Sequence, residues 1–380
     1  MTDLASRDRV GALAALDPAL QYLELLDAAW RVRGHGLRLD AVRAAAGALR
    51  EAIAGGPRVV GVATAPIARF PYPTKYAFGG AAWNPSPLVT MTNRCLVVQF
   101  MQRGVLKTLL FNPTDVEGAK KAPFFAKLLE RTPAMLQELV SPPYPSLESQ
   151  LTDLGLSPDD IDYVAYDHFH TQDLRPILGT LDGAIAARFP RAKLLAPRSE
   201  WDDWARLHPM QRAWYVKDGR DGIDVRRVIF LDGDVRVGDG VFLVRTPGHT
   251  SGNQTLFLST ESGVWGCAEN GTCADAYAPM DSNIVGLRRH ARAYDIDLIL
   301  NLNTPEYGAD QYTWMTLERL VVDRVARAPA FVQMFPSSEV TASAIAPGIR
   351  PTFTFGALTA GKLVSARAST IAPREAVAVT

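Results

Sequence analysis

The fold class that this sequence predicts is α/β, built in layers, and three observations lead there. Short β-rich runs come in clusters, the clusters alternate with helical stretches, and no repeat of 20 to 50 residues recurs along the chain. With 380 residues, 47% of them hydrophobic, the chain can bury the core of one large domain or two medium ones.

Taken in order, "LDPALQYLELLDAAWRVRGHG" predicts a helix with Asp17 as N-cap, Pro18 at the first helical position and Gly34 as its stop. "LDAVRAAAGALREAIAGG" predicts a second, capped by Asp40 and stopped by Gly55 and Gly56. The pair forms an N-terminal helical extension over 1–57. From Pro57 the texture changes to "RVVGVAT", "LVTMT", "CLVVQFM" and "VLKTLLFNPT", runs of β-branched and aromatic residues that predict a sheet of hairpins and meanders.

"KKAPFFAKLLERTPAMLQELV" predicts a helix broken at Pro133, and "LESQLTDLGLSPDD" leads into the strand "IDYVAYDHFH". A helix over "LDGAIAARF", the strand "AKLLAP" and a Trp-rich helix beginning near Glu200 follow. Four strands come in close order, "VRRVIFL", "GVFLVRT", "QTLFLST" and "GVWGCAE", then a helix over "VGLRRHARAYD" and a strand over "IDLILNLN". Beyond 330 the composition drifts to Ala, Ser, Thr and Pro, predicting a C-terminal extension over 331–380 that wraps the domain or is partly disordered.

Forty basic and forty acidic residues cancel, so no electrostatic footprint for nucleic acid or an anionic membrane is visible, and the expected partner is a small-molecule substrate. A homodimer is compatible with the composition. The start "MTDLASRDRVGALAAL" lacks the pattern of a signal peptide and no apolar run reaches membrane-spanning length, which predicts a cytoplasmic protein. Cys95, Cys267 and Cys273 are too few and too irregularly spaced for a disulfide framework.

Chemistry concentrates at two places. "HFH" at the end of a β-rich run puts His168 and His170 one residue apart, so alternation of side chains points both rings the same way. In "VRTPGHTSGNQTLFL" a strand ends, Pro247 and Gly248 force a turn, and His249 stands at its tip. Imidazoles in such a set suit zinc, iron or manganese. Trp201, Trp204 and His208 fall at i, i+3 and i+7 of a helix, either a core-facing stripe or, with Trp214 and Tyr215, an aromatic wall over the pocket. His35 and His290 read as solvated.

At these residues the chain resembles the metallo-β-lactamase superfamily. That family's first motif, H-x-H-x-D-H, follows a strand much like "SPDDIDYVAYDHFH", and its TPGHT turn is reproduced letter for letter by Thr246 to Thr250. The stretch "GDVRVGDGVFLVRTPGHTSGNQTLFLSTESGVWGCAEN" is most similar to the lactonase-like branch, and the resemblance spans Leu96 to Thr304. It implies a four-layer αβ/βα sandwich over 58–330 with a metal site at one edge of the sheets.

The resemblance further implies that His168, His170 and His249 form a three-histidine metal position. Gln172 stands where the family has an Asp, Asp173 where it has a His, Glu269 where it has a bridging Asp, and Asn303 where it has a last His. One divalent metal is therefore expected, zinc first, with iron or manganese as alternatives, held by the three histidines with Asp173 and Glu269. A second, harder ion among the oxygen ligands and a site without metal are the two other outcomes. Asp173 is the first candidate for catalytic base and Glu269 the second, although Asp173 can equally pair with Arg175. Trp204 and Tyr277 are expected to contact the substrate. The activity implied is that of a metallo-hydrolase acting on a small ester, lactone or related acyl or phosphoryl bond through a metal-bound water. The alternatives are a non-haem iron oxidoreductase on the same fold and a non-catalytic ligand-binding protein.

Overall fold

A computed structural model describes residues 17–130 and 143–365. Two sheets stack face to face. The first has six strands in the order β1 (Gln21–Leu23), β8 (Asp234–Gly238), β9 (Val241–Arg245), β10 (Gln254–Thr260), β11 (Gly263–Ala268) and β14 (Met334–Pro336). All neighbours are antiparallel except β11 and β14. The second runs β16 (Ala360–Gly361), β2 (Gly61–Pro73), β3 (Leu88–Gln102), β4 (Val105–Phe111), β5 (Tyr163–Ala165), β6 (Lys193–Pro197) and β7 (Val228–Leu231), with β15 (Ser338–Thr341) also paired to β3. From β4 to β7 its strands are parallel. A small hairpin of β12 (Arg324–Val325) and β13 (Ala328–Val332) stands apart.

The period-2 alternation of the strands divides their side chains between two cores. Leu96, Val98 and Phe100 of β3 meet Val241 and Leu243 of β9 and Leu256 and Leu258 of β10 between the sheets. The residues between them on β9 and β10, Phe242, Val244 and Phe257, face outward toward Val42, Leu49 and Ile53 of the helix His35–Ala54 and Trp314 and Leu317 of the helix Gly308–Val321, while Val97 of β3 faces outward from the other sheet beside Leu110. On the far side Leu110, Val164 and Leu194 are covered by Leu147 and Leu151 of the helix Leu147–Asp153. Helix, sheet, sheet, helix is the four-layer αβ/βα sandwich that the resemblance implied.

Several elements differ from expectation. "LDPALQYLELLDAAWRVRGHG" is not one helix: Asp17 makes a turn by accepting from the Ala19 N–H (3.0 Å), and Gln21–Leu23 becomes the edge strand β1 on β8. Burial of Leu20 between the sheets and pairing with Asp234–Arg236 outweigh local helix propensity, leaving one short helix, Asp27–Arg31. The next helix starts at His35, five residues before Asp40, which is therefore not its cap, and ends as expected at Gly55. "LVTMT" and "CLVVQFM" are one strand, β3. "LDGAIAARF" is irregular, with Leu181 exposed and Gly183 at positive φ. "IDLILNLN" is extended but in neither sheet; its backbone N–H groups go singly to Ala276, Asn270 and Tyr76. Pro133 and "MTDLASRDRVGALAAL" lie outside the described residues.

The segment beyond 330 crosses from one sheet to the other. Met334–Pro336 lies parallel to β11, Ser337 makes the crossing, and Ser338–Thr341 pairs with β3 at Thr90–Asn93. A buried ion pair fixes it: Arg94 of β3 donates to Glu339 (2.8 Å) and to the Pro336 carbonyl (2.7 Å), with its guanidinium 3.9 Å from the centre of the Phe335 ring. No helix among the described residues is long and apolar enough to cross a membrane. The three cysteines are free and buried.

Candidate metal centre

Past the end of β5 the chain leaves the sheet, so His168 and His170 sit in a loop rather than on the strand. Phe169 between them is driven into the helix-side core against Tyr166 and Trp204, and the two imidazoles turn the other way, their ring centres 4.9 Å apart. Thr171 closes the loop at φ 62, a left-handed conformation that costs a β-branched residue of order 1–3 kcal/mol, and its N–H donates to the Trp214 carbonyl at 2.7 Å. After β9 the TPGHT turn carries His249 to the same point. A side chain at Gly248 would meet Gln311 of the helix Gly308–Val321 at 2.4 Å, which explains the glycine.

His168, His170 and His249 are all buried, and their ligand atoms lie within 4.8 Å of one another, close enough to hold a metal ion together. Each ring has its other nitrogen held. His168 Nδ1 contacts Asp167 (2.7 Å), His170 Nε2 contacts the Gln211 carbonyl oxygen (2.7 Å), and His249 Nδ1 meets the Asn301 amide (3.2 Å). These contacts leave His168 Nε2, His170 Nδ1 and His249 Nε2 facing inward, the last two 3.1 Å apart. Zinc–nitrogen bonds of about 2.0–2.1 Å place tetrahedral ligand atoms about 3.3 Å apart, so the spacing fits one ion. Outer partners of this kind set ring orientation and tautomer. Asn301 offers its amide nitrogen to His249, which puts the ring proton on Nε2, from where it is given to His170. Nε2 becomes a ligand when the amide turns its oxygen to Nδ1, which exchanges its present contacts with the Tyr72 hydroxyl (2.8 Å) and the Glu269 carbonyl (3.3 Å).

Burial, reinforced by nearby His168, holds His170 and His249 well below the usual imidazole pKa, so their lone pairs stay available. Burial also works against protonation of His168, but the adjacent Asp167 outweighs it and raises that pKa. Glu269, immediately after β11, lines the same cavity. Burial and repulsion from Asp167 push its pKa up to about 8, against His168, Ser337 and Ser338. Its Oε2 lies 2.6 Å from Ser337 Oγ and accepts from the Ser338 N–H (2.8 Å), and Ser337 Oγ also contacts Asp167.

Of the other expected site residues, Gln172 and Asn303 line the cavity, while Asp173 does not. Both Asp173 oxygens are occupied by the Arg175 guanidinium (2.8 and 2.7 Å), the ion-pair alternative that the sequence left open. Nor do Trp204 and Tyr277 line it. Trp204 packs on Phe169 and Tyr215 with its indole N–H on the Val216 carbonyl (3.1 Å); Tyr277 donates to Glu318 (2.6 Å) in the core. His208 falls beyond the helix Arg198–Ala205. The aromatic wall is instead Trp214, 6.0 Å from His170 and packed on Phe124. Trp204→Ala is therefore expected to cost about 3–5 kcal/mol in urea denaturation, the usual range for truncating a buried Trp, with metal content unaltered.

Asp167, Glu200, Gln211, Asn301 and Ser337 escaped the sequence reading. Glu200 joins the two histidine loops by accepting from Phe169 N–H (2.9 Å), Tyr215 OH (2.6 Å) and Gly252 N–H (3.1 Å). Asp167 next to "HFH" was the one visible signal, because a carboxylate beside a ligating histidine is a common outer partner. The others come from distant segments with no motif around them.

Fold and site together define a four-layer αβ/βα sandwich with three buried histidines converging at one edge of its sheets. Among proteins of known identity the chain is similar to N-acyl homoserine lactonase of Bacillus thuringiensis and to N-acyl homoserine lactonase AiiA of B. thuringiensis subsp. kurstaki. Each is 30% identical over 152 residues, 40% of this chain and 48% of the relative, so the chain spans about half the length of the curated relatives it matches. No family model matches. Solved structures with similarity include a mutant of B. thuringiensis AiiA with N-decanoyl-L-homoserine bound at the active site (19% identity, 63% of this chain and 90% of that one, TM-score 0.43). Another is a probable metal-dependent hydrolase from Staphylococcus aureus (13% identity, 55% and 73%, TM-score 0.42).

Proposed function

We propose that this protein is a metal-dependent hydrolase of small lactones or esters that carry an apolar substituent. The observation that carries the reading is the convergence of three buried imidazoles, each with its outer nitrogen held, on the wall of a cavity that is otherwise mainly apolar. Phe70, Val116, Phe125, Leu128, Leu129 and Trp214 supply that apolar surface, which suits an acyl chain or a ring. The curated relatives, lactonases by name, support the substrate class.

Three neutral nitrogen ligands of this geometry fit zinc, and iron or manganese after it. When bound, such an ion supplies Lewis acidity that acidifies water and polarises an acyl oxygen. The chain's own residues do the rest. His168, His170 and His249 hold the ion, kept in orientation by Asp167, Gln211 and Asn301. Asp173, locked to Arg175, is replaced as proton carrier by Glu269. Ser337 has one hydroxyl hydrogen and two carboxylates to satisfy, Asp167 and Glu269, so one of the pair keeps a proton. Glu269 is the member that lines the cavity beside the histidines and can give a proton at Oε to a departing alkoxide.

The test is hydrolysis of a panel of γ-lactones and phenyl esters by protein produced in zinc-, manganese- and iron-supplemented medium. Turnover is expected with at least one metal. Glu269→Gln should lower kcat by roughly 10² to 10⁴, the contribution of a positioned proton carrier, while leaving the metal bound. A metal-loaded protein without turnover on any substrate, or unchanged turnover in Glu269→Gln, would contradict the proposal.

A further inference from the structure

Two further groups in the same cavity have no role in holding one ion. Gln172 and Asn303 are each more than nine-tenths buried, both line the cavity with the three histidines, and the carbonyl oxygen of each has no hydrogen-bond partner among the described residues. At its other end Gln172 Nε2 donates to Thr114 Oγ1 (3.1 Å). Buried carbonyl oxygens are normally paired, and each one left single carries a desolvation penalty that a donor from a ligand removes. Two of them beside a hydrolytic centre form an acceptor set waiting for a donor.

The donor could be a cation or a polar hydrogen, and the surroundings decide between them. A divalent ion here needs anionic oxygen ligands. Asp173 is tied to Arg175, and Glu269 Oε2 is taken by Ser337 and Ser338. Neutral amide oxygens alone hold such an ion weakly, whereas they are well matched to an N–H or O–H group. We infer that Gln172 and Asn303 form a recognition subsite for a hydrogen-bond donor, an N–H or O–H group, on the bound ligand. The inference rests on the proposed reading of the cavity as a substrate site, but it concerns binding and not turnover. A side chain that merely satisfied the fold would have no stake in whether the ligand carries a hydrogen on nitrogen.

The matched probes are N-methylhexanamide and N,N-dimethylhexanamide, which share the apolar chain and carbonyl and differ in one N–H. Their dissociation constants are measured by calorimetry on metal-loaded and on metal-free protein, so that a failure of the hydrolase reading, seen as absent turnover, is separate from a failure here. The wild type should bind the secondary amide about 3- to 10-fold more tightly, the range for one net hydrogen bond. Gln172→Leu and Asn303→Leu should each reduce that preference, and together abolish it, with binding of the tertiary amide little changed. Gln172→Glu, which keeps an acceptor, should retain it even if the leucine variants fold poorly. Equal affinities for the two amides in the wild type, or no measurable binding of either, would overturn the inference. So would a second metal ion per chain that is lost in Gln172→Leu.

Discussion

His249→Ala is expected to weaken metal binding by more than about 100-fold, beyond what loss of an outer partner costs, and to abolish hydrolysis with it. On the proposed reading His249 supplies one of three nitrogen ligands, its ring 4.4 Å from that of His168 and 4.9 Å from that of His170. The comparison variants are Asp167→Asn and Asn301→Ala. These remove a group that orients a ring and leave the ring itself, and should weaken binding by about 10- to 100-fold. Competition with a chelator of known affinity, followed by dialysis and elemental analysis, ranks the three. If His249→Ala lost no more than the outer variants, His249 would not be a ligand.

The second large effect concerns stability. Arg94→Ala should cost about 3–5 kcal/mol, because it leaves Glu339 buried beside an unfilled space with its charge uncompensated. Arg94 is 2% exposed and Glu339 fully buried, and the arginine also holds the Pro336 and Gly356 carbonyls. The double change Arg94→Met with Glu339→Leu should recover most of the loss, since two apolar side chains of similar size need no partner. Denaturant midpoints of the wild type, Arg94→Ala and the double variant measure this directly. A single variant as stable as the wild type would show that the pair does not anchor the segment after β14 to β3.

The candidate metal centre was legible where its histidines sit in local patterns. A histidine pair after a β-rich run and a proline-glycine turn each announce themselves within six residues, and the structure brings all three rings together. The departures at Gln172 and Asp173 were legible too, but not their consequence. Whether Asp173 turns to the site or to Arg175 depends on a fork of two hydrogen bonds, and Arg175 was near enough in sequence to suggest either. Trp204 misled because an aromatic stripe looks the same whether it faces a pocket or a core, and Tyr277 because its sequence neighbours do not show what its phenol meets. The neighbours that decided were Phe169, Tyr215 and Glu318, from other segments. Ser337 was out of reach for a similar reason: its position next to Glu269 follows from β14 pairing with β11, a contact between residues nearly seventy apart. At the level of the fold, strands with alternating residues were readable, whereas the first predicted helix failed because pairing of β1 with β8 overrode its local helix signals.

The central claim is that one divalent ion is held by His168, His170 and His249. Elemental analysis of protein purified after expression in zinc-, manganese- and iron-supplemented media tests it most directly. About one ion per chain is expected in at least one preparation, as a single three-nitrogen set requires. No stoichiometric metal in any of them would contradict it.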